Sequence, residues 1–304
     1  RRSTFAAFLS CAIFILFEFK KVLLARDIVH YEQRERELRR ALVRTVAIKG
    51  KCEPIKKWLV PHINKPLGTC PEKVCGIGFS DLKFYSQIRQ DYKILHDFFC
   101  LNSRKYCGEG RVVVDIGANN GVTGSNSLFF EEFLGWKSFC IEANPEVFKS
   151  LMKNRPNCVN VHAALGEETN SRPFISRGEI GGLVETLDSH FFSDILRSKV
   201  VEEEMMKNMS FMNVKKTAEL FQTYNIKKID MLSIDAEGAE LSILRGIDWN
   251  IVEIHVLTIE ANTHTQCMNS LVRDFLEVKA NMKLHRKWKY EEVYVSKKLL
   301  RGLE

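Results

Sequence analysis

The chain lacks an even spread of charge. Its formal net charge is +7, but residues 1–50 hold eleven Lys/Arg against five Asp/Glu, and the other 254 residues hold 34 against 33. The body therefore has no basic surplus, which argues against a nucleic-acid face. The basic character belongs to an N-terminal arm suited to a membrane surface. Also missing is an uninterrupted apolar stretch of about 20 residues, the length a helix needs to cross a bilayer. The run Phe5–Phe19 has fifteen residues, broken by Ser10, Cys11 and Glu18 and flanked by Arg1-Arg2 and Lys20-Lys21. It reaches spanning length only if Val22–Ala25 joins it after the lysines. It reads as a short signal-anchor; a cleaved signal peptide and an amphipathic or organellar targeting arm are the competing readings. Positive charge on both flanks sets its orientation weakly. No internal repeat or low-complexity tract is present. Proline is scarce, and four of the seven (Pro54, Pro61, Pro66 and Pro71) fall within residues 50–80, which reads as a loop-rich linker.

Cysteine, by contrast, is plentiful, at nine residues. Cys52, Cys70, Cys75, Cys100 and Cys107 crowd ahead of the first glycine turn. The Cys70–Cys75 and Cys100–Cys107 gaps lack zinc-ribbon spacing. The cluster therefore reads as one or two disulfides in a secretory lumen, with a zinc site as the runner-up. Cys140 lies in a predicted core strand and reads as a buried free thiol. Asn208-Met209-Ser210 is an N-glycosylation acceptor pattern. Together these features lead us to expect a single-pass membrane protein of the secretory pathway, in the Golgi or endoplasmic reticulum. Its parts would be an anchor or signal peptide over 1–25, a basic helical stem and cysteine-containing linker over 26–80, and a folded domain over 81–304.

Within that domain, Val112-Val113-Val114-Asp115-Ile116 reads as a buried strand followed by the turn Gly117-Ala118-Asn119-Asn120-Gly121. Thr123–Asn126 offers N-cap oxygens for a helix over Leu128–Leu134 that Gly135 closes. Further strands are expected over Lys137–Glu142, Cys158–Leu165, Lys228–Asp235 and Ile254–Glu260, with a closing hairpin over Lys283–Trp288 and Glu291–Ser296. Asn144 and Pro145 should cap and open a helix. Helices are also expected from about Asp81, over Phe191–Tyr224, from Glu237 to Gly246 and over Thr265–Met282. Gly166–Gly182 reads as irregular. Alternating strands and helices predict a parallel, doubly wound α/β sheet with its ligand at the carboxyl ends of the strands. Asp115, Glu142, Asp235 and Glu260 all fall at such ends.

A glycine turn alone serves nicotinamide, flavin and S-adenosylmethionine proteins alike. Asp115 would repel a pyrophosphate and attract the cationic amino group of S-adenosylmethionine. Glu142 is placed to accept two ribose hydroxyls. An oxidoreductase remains the alternative, because Tyr294 and Lys298 have its Tyr-x-x-x-Lys spacing; their place in the last strand rather than on a helix argues against it. A membrane-tethered binding module without catalysis is a third reading.

The chain resembles the FkbM-type methyltransferase family. The resemblance is carried by Asp115–Gly121, Ile141-Glu142-Ala143-Asn144-Pro145, Thr186-Leu187-Asp188, Ile229–Glu240 and the lead-in Ser86-Gln87-Ile88-Arg89-Gln90-Asp91. It covers roughly residues 81–296. It implies a Rossmann-like, seven-stranded methyltransferase sheet whose last strand runs antiparallel, with S-adenosyl-L-methionine as cofactor. The long segment 189–216 departs from the pattern and is expected to form a lid. By position, Asp115 and the turn Gly117, Ala118, Asn119 and Gly121 would hold the methionine part. Glu142 and Asn144 would hold the ribose end, and Ala164 and Leu165 the adenine. Gln87 and Asp91 are cofactor contacts by resemblance only. Asp235 and Glu237 would face the reacting centre, with His264 as a candidate base. Asp235, Glu237 and Glu260 holding a divalent metal is the lesser alternative. The expected reaction is O-methylation of a hydroxyl on a glycan or small molecule.

Overall fold

A computed structural model of the chain describes residues 83–99, 110–177, 180–186, 209–261 and 266–301. The anchor and stem, the five clustered cysteines, Asn208, Leu187, Asp188 and His264 lie outside the described residues. Among the described residues no helix is long and apolar enough to cross a membrane.

Seven strands form the main sheet: β1 (Val112–Ile116), β2 (Lys137–Glu142), β3 (Val159–His162), β8 (Lys228–Ile234), β9 (Glu253–Glu260), β10 (Met282–Trp288) and β11 (Glu291–Ser296). Their order is β10-β11-β9-β8-β1-β2-β3. The pairs among β3, β2, β1, β8 and β9 are parallel, whereas β11 runs antiparallel to both β9 and β10. The closing hairpin therefore inserts its second strand between β9 and its first. Strand β1 is the switch point, with β2 on one side and β8 on the other, and in such sheets the crevice opens there.

The β-branched runs are buried on both faces, as parallel strands must be. Alternation sorts them. Val114, Ile116, Leu232, Ile234 and Leu257 join the cluster that includes helices α4 (Thr217–Thr223), α5 (Glu240–Gly246) and α6 (Gln266–Asp274). Val113, Met231, Val256, Val293 and Val295 join the other, with α1 (Gln90–Ile94, continued as a π turn over Leu95–Phe99) and α2 (Leu128–Leu134). The registers stack this second face in rows. Val113, Met231, Val256 and Val295 form an apolar row. One step toward the carboxyl edge the row becomes Asp115, Ser233, Thr258 and Val293. Beyond it Glu260 pairs with Glu291. The same period that builds the core thus delivers a polar row to the crevice.

Five expectations are corrected. The described part of the helix expected from about Asp81 is not helical from Lys83 to Arg89: Ser86 bridges Gly124, Arg89 takes φ 60°, and the helix begins at Gln90. Gly166–Gly182 is not irregular, because β5 (Asn170–Arg177) and β6 (Ile180–Leu183) run through it. The described part of Phe191–Tyr224 starts with a strand, β7 (Met209–Lys216), before α4. Cys158–Leu165 is not one strand. It breaks at Ala163, whose N–H donates to the Glu142 carbonyl, and β4 (Ala164–Gly166) enters a second sheet of order β4-β7-β5-β6. Cys140 is not a free thiol but is disulfide-bonded to Cys158. β2 and β3 are neighbours, and Cys158 immediately precedes β3, which brings the two sulfurs together. Asn144 does cap α3 (Pro145–Asn154), accepting from the Glu146 and Val147 N–H groups.

Candidate active site

Beyond the carboxyl ends of β1, β2 and β8 lies a cleft of about 330 Å³. Its first wall is the glycine turn. Gly117 has φ +84°, and a Cβ there would sit 1.7 Å from the Asp235 carbonyl oxygen. Only glycine lets the turn after β1 lie against the end of β8. The Gly117 and Ala118 N–H groups donate to the Ile141 carbonyl, at 2.9 and 3.1 Å. Arg155, just past α3 and 1% exposed, clamps the turn from behind. Its Nη1 donates to the Gly121 carbonyl (2.9 Å) and to the Ser125 and Ser127 hydroxyls, and its Nη2 donates to Glu131 (2.6 Å). The Ser125 hydroxyl also accepts from Leu128 N–H at the start of α2 (3.1 Å).

Glu142 ends β2. Its Oε2 accepts from Asn119 N–H (2.9 Å) and its Oε1 from Asn144 N–H (2.7 Å). The carboxylate is thereby held in one orientation at the cleft with lone pairs to spare. Burial pushes its pKa up, while the three backbone donors at Asn144, Asn119 and Ala143 pull it down. Burial also raises Asp115, against the hydroxyls of Ser127 and Ser233 and the charge of Arg155.

The third wall is the loop after β8. Asp235 is pushed up to about 7 by burial first and by Glu237 second, and it shares a hydrogen bond with Glu260. Each of these two neighbouring carboxylates makes ionisation of the other harder. Glu260 is raised by burial and then by Asp235. Glu240, at about 7, is raised by burial although it accepts from the Ala236 and Gly238 N–H groups. Glu291 is raised by burial and by Asp235 to about 8. Glu237 and Gly238 both take positive φ, 51° and 97°, and a Cβ on Gly238 would meet the Thr186 carbonyl oxygen at 2.1 Å. The second sheet is seated on this loop by that close approach. Its Phe174 and Leu183 pack with Ala164 and, together with Gly181 and Gly182, close the cleft opposite the glycine turn.

Gln87, Asp115, Gly117, Ala118, Asn119, Glu142, Ala164, Leu165, Asp235 and Glu237 all line the cleft. Three other candidates do not. Asp91 is fully buried and accepts from the Tyr85 and Ser86 N–H groups and the Ser86 hydroxyl, so it braces the loop that carries Gln87. Gly121 packs on Leu151 and Arg155. Asn144 caps α3 and braces Glu142. Tyr294 is buried with its hydroxyl on Glu292, and Lys298 reaches Glu253, so the Tyr-x-x-x-Lys spacing builds nothing at the cleft. Among the described residues no group of three or more His, Cys, Asp or Glu is placed to hold a metal ion. Sequence reasoning missed Arg155, Ser233, Glu240, Glu291 and the Phe174–Leu183 wall. Of these, only Glu240 had a visible signal, as an acid at a helix start just after a strand end.

A doubly wound sheet with an acid-flanked glycine turn at its switch point defines a nucleotide-cradling α/β protein. The model of the methyltransferase FkbM domain matches residues 115–291, more than half of the chain and the whole span from the first acid to the last strand. The chain belongs to the FkbM methyltransferase domain family. Its sheet has seven strands and, as the sequence resemblance implied, ends in an antiparallel strand. No curated protein matches the chain. Similar solved structures include the methyltransferase FkbM from Methylobacillus flagellatus KT, at 13% identity and TM-score 0.37 over 75% of this chain and 48% of that one. Another is the precorrin-6y C5,15-methyltransferase from Geobacter metallireducens GS-15, at 13% identity and TM-score 0.34 over 73% and 94%. A third is the Aeropyrum pernix fibrillarin with natively bound S-adenosyl-L-methionine, at 12% identity and TM-score 0.31 over 62% and 66%. The chain spans about half the length of the Methylobacillus protein.

Proposed function

We propose that the cleft binds S-adenosyl-L-methionine and that the protein methylates a hydroxyl of a glycan or small molecule. One observation carries this reading: the carboxylates of Asp115, Glu142, Asp235 and Glu237 all line one cleft, and Asp115, Glu142 and Asp235 have pKa values raised. Such a bank favours a ligand with net positive charge and disfavours a pyrophosphate or a phosphorylated acceptor. The residues present fit the cofactor. Glu142 keeps free lone pairs for a ribose diol, Asp115 offers a carboxylate to the ammonium of the methionine tail, and Ala164, Leu165 and Phe174 give an apolar slot for adenine. The bound cofactor supplies an electrophilic methyl group on a sulfonium.

The rest is work for the chain. The glycine turn and Glu142 fix the donor, and Asp235 and Glu237 form the wall where an acceptor oxygen would lie. Asp235, with a pKa near 7 and a hydrogen bond shared with Glu260, is poised to take the proton that the hydroxyl loses as its new O–C bond forms. His264 is kept as a second candidate base outside the described residues. The acceptor is approached past Gln87, which is fixed by a 3.0 Å hydrogen bond from the Tyr290 hydroxyl.

The Cys140–Cys158 disulfide supports a life in an oxidising compartment, consistent with a single-pass membrane protein of the secretory pathway. Titration calorimetry of the chain with S-adenosylhomocysteine tests the cofactor. The expected result is a micromolar isotherm that Glu142→Ala abolishes; no heat from the wild type would end the reading. Transfer of a labelled methyl group into glycan and small-molecule fractions of cell extracts tests the acceptor class. Label in nucleic acid instead would overturn that part.

A further inference from the structure

We infer that the acceptor is itself an acid: Lys93, Arg286 and Lys289 form a cationic seat at the rim of the cleft for a carboxylate or sulfate on the molecule whose hydroxyl is methylated. The inference deepens the reading of the cleft given above and rests on it.

The seat is assembled from three places in the chain. Lys93 is on α1, Arg286 is on β10, and Lys289 is in the turn of the closing hairpin, at φ 51°. The β10–β11 register puts Arg286 opposite Val293 and Trp288 opposite Glu291, so both point to the sheet face that α1 covers. The Lys93 Nζ lies 4.7 Å from the centre of the Trp288 ring, a cation–π contact that holds it in place. Burial first, and then the charges of Lys289 and Arg286, lower its pKa. Among the described residues one acid answers the three cations. Asp97 lies 3.6 Å from the Arg286 Nε, but it is already hydrogen-bonded to the His285 and His96 rings. Three cations held together against their own repulsion, with one shared acid, favour an anion from outside.

The seat adjoins the cleft. Tyr290, which follows Lys289, donates its hydroxyl to Gln87 on the cleft wall (3.0 Å), and its carbonyl accepts from the Ala261 N–H just past Glu260. Glu291 comes next, paired in register with Glu260. Over residues 289–291 the chain thus changes sign, from an exposed cation at the rim to a buried acid within. An acceptor with a hydroxyl at one end and an anion at the other meets both fields in the same sense. The acids of the cleft repel its anion, the rim attracts it, and the hydroxyl is left to enter. A singly charged carboxylate or sulfate fits this better than a phosphate, whose second charge the acids would repel further.

The test is transfer of a labelled methyl group from S-adenosylmethionine into cell extract by the full chain, with the products separated by size and then by anion exchange. The wild type is expected to label products that the anion exchanger retains, acidic glycan in the large fraction or an organic acid in the small one. Raising the salt from about 20 to about 200 mM should slow it about threefold. Lys93→Gln combined with Lys289→Gln should lower the labelling about tenfold, and Lys93→Arg with Lys289→Arg should restore it. S-adenosylhomocysteine should bind all three proteins within about twofold by calorimetry. Label in the unretained, neutral products, or acidic label that the double glutamine variant leaves unchanged, would overturn the inference and leave the methyltransferase reading standing. A patch that serves an anionic bilayer would also overturn it: the wild type would then sediment with phosphatidylglycerol vesicles, and the glutamine variant would not, yet would label soluble acceptors unimpaired. Absence of label in every fraction would overturn both readings.

Discussion

Two aspartates five residues apart, at opposite ends of β8, are treated in opposite ways. Asp230 is buried near the start of the strand. Desolvation alone would raise its pKa, but the His255 ring nitrogen 3.4 Å away, the Val112 N–H and the charges of Arg111 and Lys228 outweigh it and hold it low. Asp235 just past the other end is half-buried at the cleft, and its neighbours are acids, so it rises to about 7. The contrast repeats within β11. Glu292 points to Arg273 and is lowered against its burial, whereas its neighbour Glu291 accepts from the Thr258 hydroxyl and is raised to about 8 by burial and the charge of Asp235. Alternation along the strand puts the two on opposite faces. Buried acids that the fold needs are paired within the fold. Those at the cleft lack such pairing and are raised instead, which is the environment the proposed cationic ligand would meet.

Breaking the paired end should have the largest effect. Arg111→Met strands Asp230 and is expected to cost about 3–5 kcal/mol in denaturant unfolding. A loss below 1 kcal/mol would remove the distinction drawn here. At the cleft, Asp115→Asn should leave stability within about 1 kcal/mol, because it removes a charge that the apo protein holds poorly. It should weaken S-adenosylmethionine at least about thirtyfold by calorimetry.

The pH dependence follows from the sign of each shift. Glu291 in the folded state titrates near 8, above an unfolded carboxyl near 4.5, so between those pH values the native state holds a proton that the unfolded chain has lost. Stability from this group is therefore present below the unfolded pKa and declines as pH rises toward 8. Glu291→Gln should raise the melting temperature by about 2–4 °C at pH 8 and little at pH 5. Glu292 and Asp230 have the opposite sign. Their contribution is full above the unfolded pKa and is lost as pH falls through their lowered folded values. The smallest effect is proton release. A cationic ligand should expel protons from the Asp235–Glu260 pair, so S-adenosylmethionine should bind about threefold tighter at pH 8 than at pH 6. S-adenosylhomocysteine, which lacks the sulfonium charge, should change less; equal slopes would argue against the bank sensing charge.

Much of this was legible. The Val112–Ile116 run, the acid-terminated strands and the closing hairpin announced the sheet, because buried parallel strands need continuous β-branched sequence. The second sheet was not legible. β7 is largely exposed, so Met209–Lys216 carries no clear hydrophobic period, and β5 begins with the polar stretch Asn170-Ser171-Arg172. Nine of the ten candidate residues at the cleft meet there because each sits beside a strand end or glycine turn that local pattern reveals. Asp91 and Gln87 show the limit. They are four residues apart in one lead-in, yet one braces a loop and the other lines the cleft, and only the fold of residues 83–89 separates them. Arg155 and Glu291 act on residues far away in sequence, and Cys140–Cys158 depends on two strands being neighbours, so no short window contains any of them.

The reversed strand β11 sets a timetable. A parallel strand would have brought its last residues to the cleft edge; β11 brings its first, Glu291, beside Glu260 of the neighbouring strand. Every other acid of the bank has left the ribosome by residue 260, but strand β9 keeps an open edge until residues 291–296 arrive to pair with it. An emerging chain can therefore form the glycine turn and place Glu142 well before it can shield Asp235 and Glu260 from water. The glycine-turn end of the cleft matures first, and the Asp235–Glu260 end is sealed last.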